Sequence, residues 1–389
     1  MDYDKYLNPA VAALPPSGIR RFFELASSIR DCISLGVGEP DFVTPWEIRD
    51  AAIKSIQAGK TQYTSNAGLL SLREEIAGYL SARFDAVYEP GSEIIVTIGA
   101  SEAIDLALRT LVRPGDEVLI PSPSYVSYAP NAAITGGVAV AVETSAKNGF
   151  ALTPELLEKA ITPRSKVLIL PYPNNPTGAV YDKDGLKAWV DYAKKQNAII
   201  LFDSAYEFYV TDKSLPRSVY EVEGADEVAI EFCSLSKTAG FTGTRCGYTI
   251  IPKKLGALNR MWLRRQSTKY NGVPYIVQRM AEAVFSEEGQ AQITANVGVY
   301  MKNARLISDT LSELGIWHTG GVNSPYIWLK VPGGDSWAFF DRLLSEANVV
   351  GTPGAGFGKN GEGFLRLTAF NNYENTAEAM KRIKNMLTK

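Results

Sequence analysis

Between Ser92 and Tyr206 the chain alternates short apolar runs with amphipathic ones, an order that few folds accommodate. EIIVTIGASEAIDLALRTL reads as strand, glycine turn and helix, and GDEVLIPSPSYVSYAPNAAITGG as strand, loop and helix. VAVAVET reads as a strand, TPELLEKAI as a helix, and SKVLILPYPNNPTG as a strand with a proline-rich end. DGLKAWVDYAKKQN is a helix capped at Asp182 or Asp184, and AIILFDSAY a strand with Asp203 near its carboxyl end. Uninterrupted apolar strands are buried on both faces, which predicts an α/β fold with a mostly parallel sheet covered by helices. Ligands of such sheets bind at the carboxyl ends of the strands. Gly99-Ala100-Ser101, Tyr125, Asn175, Asp203 with Tyr206, and the run from Ser234 to Lys237 all fall there.

The flanks read differently. In residues 1–30, Pro9, Pro15 and Pro16 oppose an early helix, and Ser17 offers a cap for SGIRRFFELASSI. Such an arm has little core of its own. CISLGVGEPDFVTP is a short strand ending in Gly36 and Gly38, which serve either a plain turn or a close approach of backbone to ligand. WEIRDAAIKSIQAG is an amphipathic helix closing on Gly59; the next helix has Ser71 as cap and Glu74 three positions on. After about residue 275 a long helical stretch precedes the strands SPYIWLKV and GFLRLTAF and the helix ENTAEAMKRIKNML, a smaller α+β domain.

Composition removes several classes of function. Forty basic against 42 acidic residues give a net charge of −2 with no basic stripe, so nucleic acid is not an expected partner. No basic region followed by an apolar core opens the chain, and no apolar run reaches the ~18 residues needed to span a bilayer. Cys32, Cys233 and Cys246 are scattered, which fits a reducing cytoplasm and no zinc site. The single histidine, His318 in ELGIWHTGG, rules out a multi-histidine metal centre. It reads as a surface or capping residue just past a helix end.

The densest chemistry lies in EFCSLSKTAGFTGTRCGY, residues 231–248. Lys237 stands among Ser234, Ser236, Thr238, Thr242 and Thr244, with Arg245 within reach of a tight loop. The flanking EVAIEF and CGYTII read as buried strands that hold the loop at both ends. A buried lysine ringed by hydroxyls beside an arginine suits an amine that forms a Schiff base near a bound phosphate. Gly99-Ala100-Ser101 opens a helix whose free N–H groups attract anions, and with Ser234, Ser236 and Arg245 it makes a phosphate cup. Asp203 suits a carboxylate that keeps a heteroaromatic nitrogen protonated; its plain use is to cap the turn at Ser204-Ala205. Tyr125 offers a flat face for a ring. Asn175 and Tyr206 could donate to a phenolate oxygen, or serve as turn former and packing residue.

NNPTG, the D-x-x-Y of Asp203 to Tyr206, the S-x-S-K of Ser234 to Lys237 and the following G-x-T-G-x-R resemble the fold-type I, class I and II aminotransferases that use pyridoxal 5′-phosphate. The order and separations match over nearly the whole chain. The resemblance implies an aspartate-aminotransferase-like fold: a large domain with a seven-stranded sheet, a small domain built from both chain ends, and a homodimer with shared active sites. On that pattern residues 1–30 form an arm, 46–275 the large domain, and 31–45 with 276–389 the small one. It further implies that Lys237 bonds the cofactor and shuttles a proton, and that Asp203 meets the ring nitrogen. Asn175 and Tyr206 would bond the ring oxygen, and Tyr125 would stack. Ala100, Ser101, Ser234, Ser236 and Arg245 would hold the phosphate, with Tyr63 reaching it from the other subunit. Arg366 would clamp the substrate α-carboxylate, with Gly38 meeting it through backbone. From NNPTG onward the chain is very similar to LL-diaminopimelate aminotransferases, and Asn271 in YNGVPY matches them. The front half looks more like the aspartate and N-acetyl-diaminopimelate branch. Where the LL-diaminopimelate family holds the distal end of its substrate with a glutamate and a lysine, this chain carries Asn66 and Ser101. The implied reaction moves an amino group from an LL-diaminopimelate-like or dicarboxylic amino acid to a keto acid such as 2-oxoglutarate. A broad aspartate or aromatic aminotransferase, and a β-lyase on the same fold, are the alternatives.

Overall fold

The computed structural model describes residues 1–14, 31–269 and 271–388, so the helix expected after Ser17 lies outside the described residues. In chain order the strands are β1 (Ile33–Ser34), β2 (Ile94–Thr97), β3 (Glu117–Ser122), β4 (Val138–Glu143), β5 (Ser165–Pro171), β6 (Ile199–Asp203), β7 (Ala229–Ser234), β8 (Gly247–Ile250), β9 (His318–Gly320), β10 (Tyr326–Lys330), β11 (Val349–Val350), β12 (Thr352–Pro353) and β13 (Phe364–Thr368). Seven of them form the central sheet in the order β2-β8-β7-β6-β5-β3-β4. β8 runs antiparallel to both neighbours, and the remaining pairs are parallel.

Alternation along the strands explains the layers. On β5, Val167 and Ile169 join one apolar cluster while Leu168 and Leu170 join another; on β6, Leu201 faces the first and Ile200 and Phe202 the second. Successive side chains of a strand point to opposite faces, so each face needs its own cover. Helices Gly99–Leu111 and Ala257–Lys269 supply Leu106, Ala107 and Trp262 to the first cluster. Helix Lys183–Gln196 supplies Leu186, Trp189 and Val190 to the second. Burying one such aliphatic side chain contributes about 1.5–3 kcal/mol. β4 departs from the both-faces pattern: it is the edge strand and its residues are mostly exposed.

A second, four-stranded antiparallel sheet has the order β12-β13-β10-β9, and β1 pairs in parallel with β11. Helices Glu287–Glu313 and Tyr373–Leu387 pack beside these strands through Ile307, Leu311, Met380 and Ile383. The chain leaving β1 crosses the end of β13: Thr368 N–H donates to the Leu35 carbonyl (2.8 Å), and Thr352 Oγ1 donates to the Gly36 carbonyl (2.8 Å).

Local signals read as expected at Asp182, whose carboxylate accepts from the Gly185 amide at 2.7 Å and caps helix Lys183–Gln196. Three expectations are corrected. Pro9 does not prevent an early helix but opens a short one, Pro9–Ala12, where its missing N–H costs nothing and the Asn8 side chain accepts from the Ala10 amide at 2.9 Å. Ser71 is not a cap: helix Leu70–Phe84 starts one residue earlier, and the Ser71 hydroxyl donates across to Glu282 at 2.6 Å. His318 is not a cap either but opens β9, half-buried, with Nδ1 3.0 Å from the Ile316 carbonyl oxygen. A three-residue strand is too short to show a period of two.

Candidate functional site

The lysine loop is a broad connection between two paired strands. Cys233 and Ser234 on β7 face Tyr248 and Gly247 on β8, and the Leu235 amide extends the pairing to the Cys246 carbonyl at 3.1 Å. The Leu235 carbonyl then accepts from Ala239 N–H (3.0 Å) and Phe241 N–H (3.3 Å), which turns the chain back on itself. Tyr209 donates to the Lys237 carbonyl at 2.6 Å. The lysine backbone is thereby fixed, and the residue lines the cavity.

The Lys237 ammonium donates to the Gly38 carbonyl at 2.6 Å. Burial first of all, and then the guanidinium groups of Arg366 and Arg245, lower its pKa to about 8; the nearby charge of Glu39 works the other way. Burial penalises the charged form of an amine, which makes it a usable nucleophile and proton carrier near neutrality.

Arg245 adopts a left-handed backbone (φ 64°), unusual for a side chain with a Cβ. From there Nη1 donates to Ser236 Oγ (2.8 Å) and to the Thr242 carbonyl (3.2 Å). Gly99, at φ +71°, begins the helix beside it; a Cβ there would lie 2.7 Å from Arg245 Nη2. Only glycine lets the helix N-terminus and the guanidinium close up. Ala100 and Ser101, in the first turn of helix Gly99–Leu111, line the same cavity as Ser234, Ser236 and Arg245.

Asp203 ends β6 and is buried. Its carboxylate accepts from Tyr128 Oη at 2.7 Å and from the Ala205 amide at 3.2 Å, so the turn-capping use and a site role coexist. Burial raises its pKa, opposed by those two donors. Among the described residues Asp203 joins no ion pair, and it lies in the cavity wall with acceptor capacity to spare.

Arg366 sits on β13, where it faces Trp328 of β10 and Thr352 of β12. Nη1 donates to Asn175 Oδ1 (2.8 Å); Nη2 donates to the Gly36 carbonyl (2.6 Å) and Thr352 Oγ1 (3.3 Å). The guanidinium lies 4.5 Å from the Tyr326 ring centre and 5.0 Å from that of Phe357. Its Nε is buried and has no partner among the described residues. Tyr206 Oη lies 2.7 Å from Tyr326 Oη. Burial pushes the Tyr206 phenol well above its ordinary range and raises that of Tyr326 too, so both are neutral donors at physiological pH.

One cavity of about 520 Å³ joins Lys237, Asp203, Arg245 and Arg366 with Gly38, Ala100, Ser101, Tyr125, Asn175, Tyr206, Ser234 and Ser236. Tyr63 is not among its lining and is 81% exposed. Asn271 is also exposed and outside the cavity; the adjoining Gly272 packs near the backbone of Ser65 and Asn66. Two lining tyrosines escaped the sequence reading. Tyr128 supports Asp203, and Tyr326 bridges Tyr206 and Arg366. Both lie in apolar contexts that read as core; only the repeat in SPSYVSY, three residues from Tyr125, distinguishes Tyr128.

Known proteins resemble this chain in sequence and in fold. The family model described as aminotransferase class I and II matches residues 30–383. The chain is 47% identical over 322 residues to an LL-diaminopimelate aminotransferase of Lawsonia intracellularis, 77% of each protein being covered. Among solved structures, a Thermus thermophilus aspartate aminotransferase variant superposes with TM-score 0.90 at 31% identity, covering 98% of this chain and 99% of that one. An L,L-diaminopimelate aminotransferase from Chlamydomonas reinhardtii gives 0.88 at 32%, covering 97% and 98%. An aromatic aminotransferase from Pyrococcus horikoshii gives 0.87 at 33%, covering 95% and 99%.

Proposed function

Because the chain belongs to the class I and II aminotransferases, enzymes of amino and keto acids that use pyridoxal 5′-phosphate, we propose that the cavity around Lys237 is its active site and that an LL-diaminopimelate-like amino acid is its donor. The observation that carries the reading is the meeting of one amine, one buried acid and two guanidinium groups in a single cavity.

The residues present fit the cofactor. A buried carboxylate with spare acceptor capacity suits a protonated ring nitrogen, and an arginine, serines and a helix N-terminus suit a phosphate. When bound, pyridoxal 5′-phosphate supplies an electrophilic carbon and a conjugated ring that accepts an electron pair. Lys237 would then be the residue that holds the cofactor and carries the proton. With its pKa at about 8, about a tenth of the amine is neutral at pH 7. Asp203, held in place by Tyr128, would keep the ring nitrogen protonated. Tyr206 and Asn175 would bond the ring oxygen, and Tyr125 would offer its face to the ring. Arg245, Ser234, Ser236, Ala100 and Ser101 would hold the phosphate. Arg366 turns its planar fork on the substrate α-carboxylate, a contact that a lysine would not reproduce.

The similarity to LL-diaminopimelate aminotransferases supports the donor, with 2-oxoglutarate as acceptor and a place in lysine biosynthesis. The exposure of Tyr63 and Asn271 supports a homodimer in which each completes the partner's site. Three free cysteines suit a reducing, cytoplasmic setting. Among the described residues no helix is long and apolar enough to cross a membrane.

The test is a donor panel of LL-diaminopimelate, its N-acyl form, aspartate, glutamate and aromatic amino acids, followed by the absorbance of the bound cofactor. Stoichiometric conversion of the cofactor to its amine form, lost in Lys237→Ala with the fold intact, is the expected result. Wild-type turnover in Lys237→Ala sinks the assignment of the site, and release of pyruvate and ammonia from a cysteine-like donor favours the β-lyase.

A further inference from the structure

Among the described residues, five charged side chains line the cavity: Glu39, Asp203, Lys237, Arg245 and Arg366. The reading above, on which this inference rests, occupies four of them with the ring nitrogen, the transferred amino group, the phosphate and the α-carboxylate. The fifth is an acid. Among the described residues, the cavity therefore holds no spare cation for the far end of a substrate, and it holds one spare anion.

Glu39 is also held ready. Its carboxylate accepts from Thr242 Oγ1 at 2.6 Å, on the loop that carries Lys237. The following residues are pinned as well: the amides of Asp41 and Phe42 donate to Tyr300 Oη (2.9 and 3.1 Å), whose hydroxyl donates to Asp41 Oδ1 (2.6 Å). Thr44 Oγ1 donates to the Gly240 carbonyl at 3.3 Å. The residue before it, Gly38, accepts from the Lys237 ammonium. Glu39 is itself exposed, so these contacts fix the backbone beneath it while a single accepted bond orients its carboxylate and leaves most of its lone pairs open.

We propose that Glu39 recognises a second, distal ammonium on the amino-acid substrate, so that the chain selects diamino over monoamino donors. Two donor pairs isolate that group. LL-diaminopimelate and L-2-aminopimelate differ by the second ammonium alone; L-lysine and L-norleucine form a second pair. With the holoenzyme and saturating 2-oxoglutarate, wild type prefers the ammonium-bearing member of each pair. Glu39→Gln compresses that preference on the order of tenfold to hundredfold, the loss expected for a charge-assisted contact, and the change appears chiefly in KM. Glu39→Lys compresses it further. Calorimetric affinities of the same four compounds follow the same ratios, so the reading does not depend on turnover.

The outcomes separate cleanly. If Glu39 only latches its loop to Thr242, both members of a pair lose equally, the ratio stays fixed, and the proposal is overturned. Absence of any preference in the wild type overturns it as well. If wild type rejects LL-diaminopimelate but Glu39→Gln collapses the preference for lysine over norleucine, the donor assignment falls and the role of Glu39 stands.

Discussion

Replacing Arg366 with lysine tests the carboxylate clamp most directly. In the structure Nη1 and Nη2 already serve three buried acceptors, at 2.8 Å to Asn175, 2.6 Å to Gly36 and 3.3 Å to Thr352. A lysine ammonium is one point with three donors, so it cannot fork onto a carboxylate and also satisfy that set. Loss of one charge-assisted bond to the carboxylate is worth about 1.5–3 kcal/mol, or about tenfold to hundredfold in kcat/KM. A buried acceptor left without its donor weakens the fold by about 1–3 kcal/mol more. The guanidinium also lies over the Tyr326 ring at 4.5 Å, and that contact contributes about 0.5–2 kcal/mol. The assay compares kcat/KM for an amino acid with that for its decarboxylated amine in wild type and Arg366→Lys, with thermal melts as a check on folding. The amino acid loses the factor above and the amine, which has no carboxylate to hold, loses far less. Equal losses for the two, or no loss for either, refute the clamp.

Other outcomes follow from the same geometry. Tyr326→Phe removes the partner 2.7 Å from Tyr206 Oη; activity falls about threefold to tenfold, on the scale of one neutral hydrogen bond of about 0.5–1.5 kcal/mol, and cofactor absorbance against pH shows whether the Tyr206 phenol has been retuned. Gly38→Ala places a Cβ 2.6 Å from Tyr326 Oη; that crowding costs about 1–3 kcal/mol and is read as raised KM with a lowered melting temperature. Lys237, held at a pKa of about 8 against 10.5 for a free lysine, binds fewer protons folded than unfolded between those values. The stability of the cofactor-free protein therefore gains from this group as pH rises from about 8 to 10.5, and the gain is missing in Lys237→Met. Denaturant midpoints of the two proteins across that range check it. Glu231, pushed up to about 7 mainly by burial, has the opposite sign. Its folded form holds the proton more tightly, so stability declines from pH 4.5 to 7, and Glu231→Gln flattens that slope.

The central sheet is legible in the sequence because β5 and β6 are buried on both faces, and continuous apolar runs such as VLIL and IILF leave few alternatives. The lysine loop is legible for a related reason: EVAIEF and CGYTII are strands on either side of a stretch too polar to be core. Tyr128 and Tyr326 are not legible, because a buried tyrosine looks the same in sequence whether its hydroxyl meets backbone or an active carboxylate. β1, β9, β11 and β12 are two or three residues long and carry no period. Ser71 misleads because a serine followed by glutamate at the right spacing does not reveal that Glu282 has claimed its hydroxyl. Glu39 sits in a stretch, GVGEPDF, whose glycines draw attention first; its use emerges only when Thr242 and the cavity are seen beside it.

The carbonyls of Gly36 and Gly38 stand two residues apart and accept from Arg366 and Lys237. On the proposed function, Lys237 would give up its carbonyl for a covalent partner, and Arg366 would share its fork with an incoming carboxylate. The four residues between β1 and Glu39 are thus held by two cations and, through the Thr352 hydroxyl on the same Gly36 carbonyl, by a neutral donor that neither ligand removes. Hydrogen exchange at the neighbouring amides would read how far the stretch loosens as each cation is drawn off.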